Sequence, residues 1–155
     1  MLYSKMALIA LLVLPLSMFA QEWPLNPNDH YVILKATIDS VEITDEVVGV
    51  GAFIKFYPVG RSVDSFFMAN IWPKSHTQSY GLISDISYVD DLYKGKKVDV
   101  MEFKWHYRNT YDMVSGKAKI RLLKIHYDEY LEFAIFITPE TNEEYFYSGR
   151  VEKQD

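Results

Sequence analysis

From residue 30 onward, apolar and polar side chains alternate in short runs rich in Val, Ile, Phe, Tyr and Thr, broken by Gly, Pro, Asp and Asn. A period of two places successive side chains on opposite faces of a strand, whereas a helix would repeat its apolar positions every three to four residues. No convincing stretch of helical spacing interrupts the pattern. The runs at 31–44, 47–57, 65–72, 80–89, 98–110, 118–127, 130–138 and 144–151 therefore predict consecutive hairpins of an all-β domain. Residues 73–97 fit a strand, a short helical turn or a long loop. The first run changes phase at Asp39 and Ser40: Val32, Leu34, Ala36 and Ile38 share one parity, Val41 and Ile43 the other. A bulge or bend there accounts for the switch. Gly49 and Gly51, inside the second run, point to a bulge, a tight bend or close approach of another backbone.

Turn chemistry adds a register to the C-terminal half. A three-residue loop, Val114-Ser115-Gly116, with glycine at its left-handed position would pair Met113 with Lys117. It sets Trp105 opposite Ile125 and Tyr107 opposite Leu123. The next strands then place Ile125 opposite Leu131, Leu123 opposite Phe133 and, on the reverse face, Lys124 opposite Glu132. Pairing Ile135 with Tyr147 brings Glu132 to Arg150. The resulting core face comprises Phe103, Trp105, Tyr107, Leu123, Ile125, Leu131, Phe133, Ile135, Tyr145, Tyr147 and Val151. The reverse face is charged at one end (Glu102, Lys104, His106, Lys124, His126, Glu132, Arg150) and apolar at the other (Ile120, Leu122, Ala134, Phe136, Phe146), so its apolar half needs a cover.

These elements predict an antiparallel meander of about eight strands, closed into a barrel or folded as a two-sheet sandwich. The layout of successive hairpins resembles that of lipocalin barrels, although the Gly-x-Trp that marks many lipocalins near the first strand is missing.

The N-terminus changes the picture of where this domain works. Lys5 precedes an uncharged apolar run from Met6 to Phe19, with Ala20 at the point where a small residue is needed, which is the layout of a secretory signal peptide. The run is too short for a bilayer span, which takes about 20 apolar residues. The expected organisation is a signal-peptide helix over 1–20, a lead-in segment over 21–29 pinned by Trp23 and Leu25, and a single β domain over 30–155. Export to a periplasm or the extracellular space follows, with cleavage near Ala20.

Composition narrows the partners. The 155-residue chain has no cysteine, so an exported form must be stabilised by packing and hydrogen bonds rather than disulfides. Its formal net charge of −5, with acids and bases interspersed, argues against nucleic acid, which wants a basic patch. No membrane span is expected after Ala20, and no motif calls for a cofactor.

Candidate chemistry is sparse. His106 and His126 would lie diagonally on one face and are the metal-ligand candidates, but Lys104 and Lys124 share that patch and repel a divalent ion. Asp85, Asp90, Asp91 and Asp99 lack the spacing of a calcium loop. There is no G-x-S-x-G and no paired Ser and His with an orienting acid. Glu102 and Glu132 each have a basic cross-strand neighbour and read as salt-bridge partners. The unusual abundance is tyrosine, 12 in all. Amphipathic rings suit a half-wet cavity or an interface, which makes Tyr107, Tyr145, Tyr147, Phe136 and Phe146 the ligand-binding candidates. The expected function is a non-catalytic exported domain that binds a small apolar or amphipathic ligand or a cell-envelope component. The alternative is an inhibitor or immunity-type protein acting on an exported protein partner, and an enzyme without a recognisable motif is a third.

Overall fold

The computed structural model describes residues 25–61, 65–93 and 95–154. Its strands are β1 (Asp29–Ile38), β2 (Val41–Glu42), β3 (Phe53–Pro58), β4 (Phe66–Trp72), β5 (Thr77–Tyr93), β6 (Lys96–Asn109), β7 (Ser115–His126), β8 (Leu131–Pro139) and β9 (Tyr145–Lys153), with one short helix, α1 (Thr44–Gly49), between β2 and β3. Sequential antiparallel pairing runs from β3 to β9, β1 joins β3, and β1 also pairs with β9 from Asp29↔Lys153 to Ile38↔Tyr145. That last ladder closes eight of the nine strands into a barrel and leaves β2 as a flap on β1. The sandwich alternative is thereby excluded. Residues 1–20, the expected signal peptide, lie outside the described residues, as does Trp23. Leu25 of the lead-in segment is buried in the core.

The phase change at Asp39 and Ser40 is a chain reversal rather than a bulge. Both residues have positive φ (48° and 67°), the geometry of a two-residue hairpin turn. Asp39 is further tied to β9, because its N–H donates to the Glu144 carbonyl (2.8 Å) and its Oδ1 accepts from the Glu144 N–H (2.8 Å). The bulge in β1 falls earlier, between Ile33 and Lys35 opposite Gly149. A Cβ on Gly149 would sit 1.9 Å from the Val32 carbonyl oxygen, so only glycine permits this close approach.

The strand expected over 47–57 begins only at Phe53, because the chain first makes α1. Ile43, Val47 and Val50, at helical spacing, pack on the core, and Val47 is fully buried. Gly49 and Gly51 end this helix instead of kinking a strand. Gly51 has φ +70°, its N–H donates to the Val48 carbonyl (2.9 Å), and the Ala52 N–H donates to Val47 (3.2 Å). The described residues of 73–97 hold a 3-10 turn, Pro73–Ser75, then the long strand β5, bulged between Ser84 and Ser87 with Asp85 at φ 53°.

The β8–β9 register is the one the sequence predicts, with Ile135↔Tyr147 and Glu132↔Arg150. The β6–β7 register is not. Trp105 pairs with Ala118 and Tyr107 with Gly116, so β7 turns Ala118, Ile120, Leu122 and Lys124 inward and leaves Leu123 and Ile125 half-buried. The β7–β8 register differs by one step, Lys124↔Phe133 and Ile125↔Glu132, and the expected Lys124–Glu132 pair does not form. Gly116 does not take the left-handed position of this turn. The left-handed residue of this turn is Met113 (φ 60°), and a Cβ at Gly116 would lie 2.5 Å from the Tyr107 hydroxyl.

Most of the barrel interior is filled. Tyr31 meets Phe56 and Phe133 edge-on at 5.4 and 5.3 Å, and Phe103 packs on Phe56 at 6.1 Å. With Ile120 and Leu122 inside, the outward apolar surface of β8 and β9 shrinks to Ala134, Phe136 and Phe146, all half-buried.

Candidate functional site

The filled core stops short of one end. Inward positions continue along β4 as Met68, Asn70 and Trp72, along β6 as Phe103, Trp105, Tyr107 and Asn109, and along β9 as Tyr147 and Tyr145, because alternate residues of a strand share a face. Beyond Trp105 these side chains leave open space between them. They line a cavity of about 620 Å³ at the end carrying the β4–β5, β6–β7 and β8–β9 turns. Ser75, Thr77, Gln78 and Ser79 complete one wall, and Ile137, Pro139, Thr141 and Glu143 another.

Trp105 forms the floor. Its indole Nε1 donates to the Met68 carbonyl (3.1 Å), and its ring meets Tyr107 at 5.1 Å. The Trp72 Nε1 donates to Asn70 Oδ1 (3.1 Å), and Ser79 Oγ donates to Asn109 Oδ1 (2.6 Å). Asn70 and Asn109 are only 9% and 8% exposed, and two primary amides buried among aromatic rings are the polar anchors of the cavity. The Asn70 amide also bonds the Tyr147 hydroxyl. At the rim the Tyr145 hydroxyl donates to Glu143 Oε2 (2.9 Å).

All four tyrosines of the cavity are held in the neutral, proton-donating form. Burial pushes the Tyr147 hydroxyl up to about 12, with the Asn70 bond opposing the shift. Burial, then the bond to Glu143 and its charge, raises Tyr145. Burial raises Tyr107, helped by the carboxylates of Glu140, Asp112 and Glu143, and raises Tyr111, helped by Asp112. The site is thus an aromatic bowl with neutral hydrogen-bonding groups in its depth and carboxylates at its lip. The serine hydroxyls in it are engaged with Thr77 (from Ser75, 2.9 Å) and Asn109 (from Ser79).

Of the residues singled out from sequence, Tyr107, Tyr145 and Tyr147 converge here. Phe136 and Phe146 do not. They face outward on β8 and β9, their rings 5.0 Å apart, and Phe136 borders a shallow exterior groove with Lys104, Lys119 and Arg121. His106 and His126 are not neighbours either. His106 pairs with Lys117 near one end of the β6–β7 ladder, and His126 lies just past Val98↔Ile125 at the other. There His126 Nε2 is 2.6 Å from Asp99 Oδ2. Among the described residues, no group of three or more His, Cys, Asp and Glu could hold a metal ion. Asp85 bonds Lys104 (2.8 Å), away from Asp99.

Sequence reasoning missed Asn70, Asn109, Trp72, Tyr111 and Glu143 and treated Trp105 as core alone. The available signal was Asn at an inward parity, in Phe66-x-Met68-x-Asn70-x-Trp72 and again in Trp105-x-Tyr107-x-Asn109. A polar residue continuing an apolar face marks where the core gives way to a wet space. Comparison with family models, with curated proteins and with solved structures found no match for this chain.

Proposed function

We propose that this chain is an exported, non-catalytic binding domain whose barrel mouth holds a small amphipathic ligand. The observation that carries the reading is the pair of buried amides, Asn70 and Asn109, inside an aromatic-walled cavity of about 620 Å³. Ligand sites are typically apolar clefts of about 300–1,000 Å³ with a few placed polar groups that fix orientation. Trp72, Trp105, Tyr107 and Tyr147 would contact the apolar body, and the amides would bind its polar part. Export rests on the layout of residues 1–20 and is tested by N-terminal sequencing of protein recovered from its host, which should begin near Gln21. Among the described residues no helix is long and apolar enough to cross a membrane.

The binding reading is tested by native mass spectrometry of protein purified from its host envelope, alongside Asn70→Leu. A small-molecule adduct present in the wild type and lost in the variant supports it. An adduct-free wild type, or an adduct unaffected by the substitution, overturns it. The outward Phe136–Phe146 pair favours a second reading, docking of an exported protein. It predicts a co-purifying chain that is lost on Phe136→Ser and retained on Asn70→Leu.

A further inference from the structure

The mouth cavity bears negative charge with no cation facing it. Glu143 is its one carboxylate, and among the described residues no Lys, Arg or His lines it. Asp112 and Glu140 stand in the β6–β7 and β8–β9 turns, close enough that their charges act with that of Glu143 on the Tyr107 hydroxyl. Asp112 is held there by its bond to the Val114 N–H (2.9 Å). Lys74, Arg108 and Lys117 belong to the same end of the barrel, but all three are exposed and none lines the cavity.

The walls are largely aromatic. An aromatic ring presents a negative face, and a cation within about 6 Å of its centre is attracted, most strongly where water is excluded. Trp72, Trp105, Tyr107, Tyr111 and Tyr145 place five aromatic rings around one volume. A carboxylate or phosphate entering it would lose hydration, find no cationic partner and approach Glu143. A neutral ligand would gain the aromatic and amide contacts but leave the field of the rim unused.

We infer that the mouth cavity selects an organic cation, an alkylated ammonium or amine on an apolar body, with its charge between Glu143 and the aromatic rings. The inference rests on the mouth cavity being the binding site. Selection would then come from two sources, the aromatic rings around the bowl and the carboxylates at its lip, while a polar group on the ligand body would bond the Asn70 and Asn109 amides alongside their existing partners Trp72, Tyr147 and Ser79.

The test uses three ligands that share one octyl chain, each below its micellar concentration: octyltrimethylammonium, octyl glucoside and octanoate, titrated calorimetrically into the wild type and Glu143→Gln. The wild type should bind the ammonium about tenfold tighter than the glucoside, and octanoate weakest. Glu143→Gln should weaken the ammonium about fivefold and leave the glucoside within about twofold, which also controls for folding. If the glucoside or octanoate binds as tightly as the ammonium, or if the preference survives unchanged in Glu143→Gln, the cation inference falls and the cavity reading stands. If none of the three binds, both fall.

Discussion

Inside the end of the barrel opposite the mouth, Lys124 Nζ lies 3.1 Å from Asp29 Oδ2, and the two side chains are only 9% and 3% exposed. Lys124 continues the inward face of β7 after Leu122, and Asp29 opens β1, so the ion pair ties the first strand to a strand 95 residues later. Tyr31 lies beside it, its ring 5.8 Å from the Lys124 nitrogen, and burial with the charge of Asp29 raises the Tyr31 hydroxyl well above its ordinary range.

Removing one partner of this pair strands the other charge. Lys124→Met should therefore cost about 3–5 kcal/mol in urea denaturation, while Lys124→Met combined with Asp29→Leu should recover most of that loss. A single substitution costing under about 1 kcal/mol would show that the pair is not buried in solution. Tyr31→Phe should be neutral or stabilising by up to about 1 kcal/mol, because the Tyr31 hydroxyl has no hydrogen-bond partner among the described residues.

Alkaline pH should unfold the barrel cooperatively. Tyr31 and Tyr147 have folded-state pKa values above the unfolded value of 10.0, so the unfolded chain releases their protons first. Their contribution is fully present below pH 10 and is lost as pH rises through the folded values, with Tyr147 alone accounting for up to roughly 3 kcal/mol. Tyrosinate absorbance near 295 nm should show a late class, Tyr31 and Tyr147, appearing together with loss of β-sheet circular dichroism. Independent titration of every tyrosine without unfolding would contradict the packing of Tyr31.

Gly149→Ala should be among the most damaging single-methyl changes in the protein. Its Cβ would meet backbone, the Val32 carbonyl oxygen at 1.9 Å, in the ladder that closes the barrel. A loss of about 4 kcal/mol or failure to fold is expected. Gly95→Ala provides the contrast. Its Cβ would meet nothing within 4 Å, so only the strain of φ +75° is felt, about 1 kcal/mol. Equal melting temperatures for the two variants would refute this account.

Gly116→Ala should reshape the mouth without unfolding the chain. The atoms nearest the new methyl are the hydroxyl and ring carbons of Tyr107, which can swing into the open cavity. A stability cost of about 1–2 kcal/mol is expected. Binding of an octyl ligand should weaken, because Tyr107 moves into its space. Unchanged affinity would place the ligand away from Tyr107.

Much of this architecture was legible along the chain, and the parts that were not share a physical cause. Alternation alone puts Phe103, Trp105 and Tyr107, and likewise Phe133, Ile135 and Tyr147, on the inward face, since a strand with one wet side must alternate. It failed at β7, where Lys119-Ile120-Arg121-Leu122-Leu123-Lys124-Ile125 supports either parity and the choice hung on how Gly116 was used. A glycine serves a left-handed turn or a close approach equally well, and only the position of the Tyr107 ring tells them apart. It failed also at residues 44–49, where Val47 is apolar at both strand and helix spacing and the chain forms α1 after the Asp39–Ser40 reversal and β2.

By itself the sequence determined the class of fold, the number of strands to within one, and the inward set on β6, β8 and β9, because backbone geometry makes side-chain direction a local property. Closure of β1 on β9, the inward turn of Lys124 and the gathering of Asn70, Asn109 and the mouth aromatics were decided only by the tertiary structure. Each depends on partners distant in the chain, and a buried charge or amide is tolerated only where such a partner arrives.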